Sequence, residues 1–354
     1  MEEQPATPVV LAVDGNSLLH RAYHASARSG FRTPDGRPAW AVRGLLSQLV
    51  AAVDRVCADA VVVGFDDRGN SERKRKWPTY KAHRDPKPET LESQLDLAVE
   101  TLRELGVIVV VPPGLEADDV LASVAAQARG WGARTVVTTS DRDSFALIDD
   151  NTRMLRILNG GVDASPLLDP VRLTMVTGVR PEQYKDLAAL RGDASDNLPG
   201  VPGFGAKTAV RLLAALGSAE EAFADATGDG ERCRAAIGPA RTKCLTTGGA
   251  RERWAFNRQV MAMVTTAEIP LDLADPSAPG RLPLDEDAVR TTYARYELHV
   301  ASAIRALTLR EPTRTVEDPF VDPRWFSSAP RPRHEPLPQL VATAGVAYVQ
   351  ETLF

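Results

Sequence analysis

The chain has 354 residues, 44% of them hydrophobic and 25% charged, with a net charge of −5. That balance excludes a disordered or collagen-like chain and leaves room for two globular domains. No apolar run is long enough to span a membrane or resembles a signal peptide, and Cys57, Cys233 and Cys244 are scattered without a CxxC pair, which suits a reducing compartment.

Residues 9–13 (VVLAV) read as a buried strand ending at Asp14, and a helix carrying His20, Arg21 and Tyr23 follows. A Gly- and Pro-rich loop over 29–38 leads to helical apolar spacing over 40–56. Residues 60–65 (AVVVGF) form a second buried strand, ending at Asp66 and Asp67. A basic segment then holds Arg68, Arg73, Lys74, Arg75, Lys76, Lys81, Arg84 and Lys87, interleaved with Trp77, Tyr80 and His83. Charge of this kind suits a solvated connector. Cations mixed with aromatics directly after a strand-end aspartate also suit a phosphate backbone and unstacked bases. Pro78, Pro86 and Pro88 divide the segment, which predicts a mobile arch of short pieces.

A helix is expected over 91–105, then a strand over 107–111 and a Pro112-Pro113-Gly114 turn. GLEADD at 114–119 opens an Ala-rich helix reaching 128. Glu116, Asp118 and Asp119 thus crowd the first helical turn. The helix dipole favours acids there by about 0.3–1 kcal/mol each, so the cluster alone is ordinary. Residues 135–139 form another strand, ending at Ser140-Asp141-Arg142-Asp143. Strands alternating with helices give an α/β domain with a mainly parallel sheet. In such sheets functional groups gather beyond the carboxyl ends of the strands. Asp14, Asp66 and Asp141 each close a different apolar strand. With Glu116, Asp118 and Asp119 they would line one sheet edge. One strand-end aspartate is turn chemistry. Several converging carboxylates repel unless cations neutralise them, and an oxygen-only donor set suits Mg²⁺ or Mn²⁺. The histidines are read as showing neither HxxxH nor HExxH spacing, which argues against zinc.

After Asp163 the character changes. Residues 181–190 look helical and lead through Arg191-Gly192-Asp193-Ala194-Ser195-Asp196-Asn197 to GVPGFGAKTA at 200–209. A Gly-rich turn ahead of a helix N-terminus exposes backbone N–H groups that hold a phosphate without reading sequence. Asp193 and Asp196 offer further carboxylates, or simple caps. Residues 251–264 and 285–307 read as amphipathic helices completing a second, helical domain. Beyond 310 the chain turns Pro-rich, a linker composition.

Together these strings resemble the 5′-nuclease family, and most closely the N-terminal 5′-nuclease domain of bacterial DNA polymerase I. Phage 5′-exonucleases and, more distantly, flap endonucleases share the pattern. VDGNSLLHRAYHA, FDDRG, YKAHR, GLEADD, TTSDRD and RGDASDNLPGVPGFGAKTA stand in the family's order across roughly 9–265. The resemblance implies a PIN-like α/β nuclease domain over 1–180 with a basic arch at about 68–90. It implies a helical DNA-binding domain over 181–310, with a helix–hairpin–helix (helix–three-turn–helix) at about 187–216, and a flexible tail over 311–354. Two ions, Mg²⁺ or Mn²⁺, would drive phosphodiester hydrolysis. Asp14, Asp66, Glu116, Asp118 and Asp119 match the first ion's shell, some through water, and Asp141, Asp143, Asp193 and Asp196 the second's. Lys81 and Arg84 match arch residues that contact the scissile phosphate. Arg21, Tyr23, Arg73 and Tyr80 match substrate contacts. Gly200, Gly203, Gly205, Lys207 and Thr208 belong to the turn that grips the duplex, where the family often holds K⁺. Ser140 replaces the family's usual Gly, and Trp77-Pro78 stands where relatives continue a helix, which implies a differently shaped arch.

The implied protein is a stand-alone, monomeric 5′–3′ exonuclease with 5′-flap endonuclease activity, serving primer removal and DNA repair at the nucleoid in a bacterial cytoplasm. Its partners would be DNA 5′ ends, flaps and junctions, and RNA–DNA primer hybrids, with no membrane partner. Gln350-Glu351-Thr352-Leu353-Phe354 resembles the Gln-x-x-Leu-Phe peptide that binds the sliding clamp. Leu353 and Phe354 would be apolar anchors, with Gln350 hydrogen-bonded at the rim. Two other readings share parts of this pattern. A junction-binding module without catalysis would not need the full carboxylate set. A PIN-type ribonuclease or a phosphatase would need neither the GVPGFGAKTA turn nor the basic arch.

Overall fold

The computed structural model describes residues 7–309 and Phe320. Six strands form its main sheet: β1 (Val9–Asp14), β2 (Ala60–Gly64), β3 (Ile108–Val110), β4 (Arg134–Thr139), β5 (Thr152–Arg156) and β6 (Leu167–Leu168). Their order is β3-β2-β1-β4-β5-β6, and all neighbours are parallel except β5 and β6. β1 is buried along its whole length. A parallel strand covered on both faces must be apolar throughout, and VVLAV is. Leu11, Val13, Val61 and Val63 face α1 (Gly15–Ser26), α2 (Trp40–Val56) and α4 (Glu89–Glu104), while α3 (Glu72–Lys76) is a single basic turn outside this layer. Val10, Ala12, Val62 and Val137 face α5 (Ala117–Gly130) on the other side. β5 and β6 were not anticipated; their runs are too short or too polar to stand out by pattern.

After α6 (Gly161–Ala164) comes α7 (Pro170–Thr177). It starts where the Asp169 side chain accepts from Arg172 N, carries Pro at its first position and stops at Gly178, at φ 78°. α8 (Pro181–Arg191) then runs into a two-stranded hairpin, β7 (Gly192–Asp193) with β8 (Leu198–Pro199), and on to α9 (Ala206–Leu216). α10 (Ala219–Thr227), α11 (Glu231–Ile237), α12 (Pro239–Thr246) and α13 (Ala250–Val260) complete a helical body. Its core of Tyr184, Leu187, Leu212, Phe223 and Trp254 is continuous with Phe145, Met154 and Leu168 at the edge of the sheet.

Toward the C-terminal end of the expected second domain over 181–310, the chain returns to the sheet. Ile269 and Leu271 pack on the α5 side of the sheet. Residues 285–307 are not one helix but α14 (Glu286–Arg295) and α15 (Val300–Ile304), separated where Glu297 takes φ 50°. Both pack on the first core: Tyr293 Oη donates to Leu46 O at 3.1 Å, and the Tyr296 and Thr101 hydroxyls meet at 2.7 Å. Amphipathic spacing identified the apolar face but not which core it covers. Phe320 lies under the guanidiniums of Arg134 (4.8 Å) and Arg153 (5.0 Å). The rest of the 311–354 tail, with Gln350, Leu353 and Phe354, lies outside the described residues. No helix among the described residues is long and apolar enough to cross a membrane.

The hairpin between α8 and α9 closes by backbone contact. A Cβ at Gly200 would lie 2.1 Å from Arg191 O, and one at Gly192 would lie 2.3 Å from Gly200 N. At Gly205 nothing stands within 4 Å. Gly200→Ala is therefore expected to destabilise the protein by about 1–3 kcal/mol through overpacking. Gly205→Ala is expected to cost about 1 kcal/mol or less. Thermal melts of the two variants side by side check this, and equal melting temperatures would refute it.

Candidate active site

The carboxyl ends of β1, β2 and β4 deliver Asp14, Asp66 and Asp141 to one edge, because parallel neighbours end together. Asp14 caps α1, accepting from Ser17 N at 2.8 Å and from Thr139 Oγ1 at 2.7 Å. Asp66 accepts from Ala117 N at 2.9 Å, so β2 and the start of α5 are bonded through the site. Its neighbour Asp67 turns away to bind Gly114 N, Gly69 N and Asn70 N. Asp118 accepts from Ser144 Oγ at 3.1 Å, and Asp141 from Asp143 N at 3.0 Å. Ser140 meets Ser17 of α1, oxygen to oxygen, at 2.5 Å. The helical body brings in Asp193 and Asp196 from the hairpin.

These carboxylates act on one another in a chain. Burial pushes Asp14 up to about 7 against two hydrogen bonds, and Asp66 and Asp141 push the same way. Burial, then Asp141, Asp193 and Asp196, push Asp143 up to about 7. Asp118 is held well above its ordinary value by burial, then by Asp141, Asp14 and Asp143. Burial also keeps Asp196 raised, despite the opposing charges of Lys81 and Arg84.

The basic segment supplies the counter-charge, folded inward. Lys81 Nζ lies 3.0 Å from Glu116 Oε1, and Tyr80 Oη donates to Glu116 Oε2 at 3.0 Å. Arg84 Nη2 lies 2.6 Å from Asp196 Oδ1. Burial alone would raise Glu116; Lys81 and Arg73 reverse this and hold it below its ordinary value. Two bonds fasten the segment's backbone to the hairpin turn: Lys81 N donates to Asp196 O at 3.0 Å, and the side-chain Asn197 Nδ2 to Thr79 O at 2.8 Å. Lys81 itself sits at φ 54°, a conformation that a non-glycine residue adopts only where its surroundings enforce it.

Three of the matched residues bond within the chain. Asp119, grouped with the metal ligands, has both oxygens engaged: with Arg73 at 2.6 and 2.9 Å, Val264 N at 2.8 Å and Glu116 N at 3.0 Å. It is a buried anchor joining the arch, α5 and the segment after α13. Arg73 and Tyr80, matched to substrate contacts, are turned inward; Arg73 is spent on Asp119, Glu116 and Ala262 O, and Tyr80 on Glu116. Arg21 and Tyr23 lie on the surface of α1, bonded to Asn159 and Thr90. Gly200, Gly203 and Gly205 lie in the turn between the β7–β8 hairpin and α9, and Lys207 and Thr208 in the first turn of α9. Lys207 is exposed, and Gly203 takes φ 81°. The expectation that the histidines show no HxxxH spacing is wrong: His20 and His24 stand four apart, and α1 brings their Nε2 atoms to 3.2 Å.

The donor set fits a hard divalent cation by chemistry: oxygen-only, largely buried, and raised by mutual repulsion that a cation would relieve. As they stand, no three Asp, Glu, His or Cys side chains among the described residues are arranged to hold a metal ion. Lys81, Arg73 and Arg84 meet part of the negative charge.

Family models match two adjoining stretches, "5′-3′ exonuclease, N-terminal resolvase-like domain" over 9–173 and "5′-3′ exonuclease, C-terminal SAM fold" over 179–281. DNA polymerase I of Mycobacterium tuberculosis is 38% identical over 216 residues, 61% of this chain and 24% of that one. The thermostable DNA polymerase I of Thermus aquaticus is 41% identical over 211 residues, 60% of this chain and 24% of that one. The chain therefore spans about a quarter of the length of these relatives. Among solved structures, the T5 5′-exonuclease with bound zinc aligns over 86% of this chain and all of its own, with TM-score 0.58 and 18% identity. Human GEN1 with Holliday junction DNA aligns over 85% of this chain and 70% of its own, with TM-score 0.51 and 15% identity. At these identities the likeness is one of fold.

Two measurements follow from the charges. Arg73→Ala leaves Asp119 and part of Glu116 buried without their partner, and is expected to cost about 3–5 kcal/mol of stability, as for a broken buried pair. An unchanged unfolding midpoint in urea would contradict the anchor role. In divalent-free buffer, Asp14 and Asp143 titrate near 7 when folded against an ordinary 3.8. The native state then binds more protons across that window, so stability falls as pH rises from about 4 to about 7, by at most about 1.4 kcal/mol per pH unit for each group. Asp14→Asn is expected to flatten the slope of melting temperature against pH; an unchanged slope would refute the shift.

Proposed function

The chain belongs to the 5′-3′ exonuclease family, and from that premise we propose that it is a divalent-metal-dependent 5′–3′ exonuclease and 5′-flap endonuclease acting on DNA. The observation that carries this reading is the gathering of strand-end carboxylates with Lys81 and Arg84 directly against them. Two groups of ligands are proposed, Asp14, Asp66, Glu116, Asp118 and Asp119 for one ion, some through water, and Asp141, Asp143, Asp193 and Asp196 for another. When bound, Mg²⁺ or Mn²⁺ supplies Lewis-acid polarisation of a phosphate and a water of lowered pKa. The carboxylates orient the phosphate by where they hold that charge. Once they are neutralised, the ammonium of Lys81 and the guanidinium of Arg84 are free to donate to phosphate oxygens, where they stabilise charge that grows in the transition state. The exposed turn before α9, with Lys207 and Thr208 at the helix start, takes a duplex phosphate without reading bases. K⁺ at that turn, RNA–DNA primer hybrids as substrates, and a role in primer removal and repair are parts of the same proposal. So is sliding-clamp binding through Gln350, Leu353 and Phe354.

Digestion of 5′-labelled flap and duplex DNA tests the reading. Cleavage near the 5′ end is expected in Mg²⁺ and not in EDTA, and Asp118→Asn is expected to lower the single-turnover rate by about 100-fold or more. Binding without cleavage in Mg²⁺ would mark a junction-binding module instead, and near-normal cleavage by Asp118→Asn would overturn the site.

A further inference from the structure

The functional reading leaves His20, His24 and Lys87 without a role. Four residues apart on α1, the two histidines share one helix face. Their Nε2 atoms lie 3.2 Å apart and their rings meet edge to face with centroids at 4.5 Å. Both side chains are exposed. Burial lowers His20 from its ordinary value, and the charges that act on it next are all cationic: His24, Lys87 and Arg84. Paired imidazoles in positive surroundings disfavour a metal cation and favour an anion with several acceptor oxygens. The neighbouring polar residues of α1 are already engaged, Arg21 with Asn159 at 2.9 Å and Tyr23 with Thr90 at 2.7 Å.

Both arch cations connect this patch to the acidic edge. Arg84 is bonded to Asp196, and Asp66 acts on Lys87. Asp14 caps the helix that carries the histidines. At about 1.5 Å per residue, His20 stands about 9 Å and His24 about 15 Å along the axis from Asp14. At about 3.4 Å per stacked nucleotide, that is about three to four nucleotides, and fewer for an extended strand. A strand cut near its 5′ end must place its terminal group within that reach. A phosphate monoester carries about −1.5 to −2 charges and three acceptor oxygens, more than an internal phosphodiester offers.

We propose that His20 and His24, with Lys87, form a receptor for the 5′-terminal phosphate of the strand being cut. The site rests on the 5′-nuclease reading for its ligand, but its test does not require cleavage. Two fluorescent single-stranded oligonucleotides, identical except for a 5′-phosphate or a 5′-hydroxyl, are titrated with the full chain in Ca²⁺ and followed by anisotropy. The phosphorylated strand is expected to bind about tenfold more tightly, as for one charge-assisted hydrogen bond. The double variant His20→Gln, His24→Gln is expected to bring the ratio close to one, and Lys87→Ala, on a separate segment, to lower it. Equal binding of the two strands by the unaltered chain, no binding of either, or a preference that survives the double variant would overturn the receptor. The last two outcomes are independent of flap digestion. A chain that discriminates the 5′ ends but cuts no DNA would overturn the nuclease reading and leave the receptor standing.

Discussion

Like charges cannot be gathered at a partly buried edge without compensation, and the structure around this site is arranged by that need. Burial and mutual repulsion raise Asp14, Asp118 and Asp143. Hydrogen bonds from Ser17, Thr139 and Ser144 offset part of this. The rest falls to cations that the chain folds inward. Arg73 is locked on Asp119, whereas Lys81 and Arg84 reach Glu116 and Asp196 from a segment outside the sheet layers. The first pair has the burial of a permanent strut. Arg84 is about half exposed, so its pair is weak and exchangeable.

The fold supplies the convergence in two steps. Parallel pairing of β1 with β2 and β4 ends three strands at one level, and the turn after β3 starts α5 beside them. The helical body then adds Asp193 and Asp196 on a hairpin whose backbone contacts admit only glycine at Gly192 and Gly200. The chain between the two bodies is fastened more than once. Val264 N bonds Asp119, Ser123 Oγ bonds Val264 O, and α14 and α15 return to the first core. The basic segment therefore spans two bodies held in fixed relation. Its backbone bonds to Asp196 O and to the Asn197 side chain close it over the carboxylates.

Much of this was legible in the sequence because it depends on local pattern. Apolar runs ending in aspartate located β1, β2 and β4 and predicted one acidic edge. The acid-rich first turn located α5, and the family strings gave the order of the parts. What was not legible depends on pairing between distant residues. Asp118 and Asp119 are adjacent acids in one helical turn, yet one faces the site and the other is saturated by Arg73 and Val264 N. Nothing in GLEADD distinguishes them. Arg73 and Tyr80 were matched to substrate contacts through the family resemblance, which carries no information on which buried acids they reach within the chain. β5 failed for another reason: Thr152–Arg156 mixes two arginines into a strand of five, and only the parallel register with β4 makes it one. The HxxxH spacing of His20 and His24 stands in the sequence but was overlooked, and its cationic setting exists only once the arch is folded.

The central claim is that this acidic edge is built for divalent cations. Anomalous diffraction from crystals of the full chain equilibrated with Mn²⁺ tests it most directly. The account predicts Mn²⁺ peaks within about 2.0–2.6 Å of oxygens from Asp14, Asp66, Glu116 or Asp118, and from Asp141, Asp143, Asp193 or Asp196, with Asp119 still on Arg73. Mn²⁺ bound elsewhere, or on Asp119 with Arg73 displaced, while the strand-end carboxylates hold none, would contradict it.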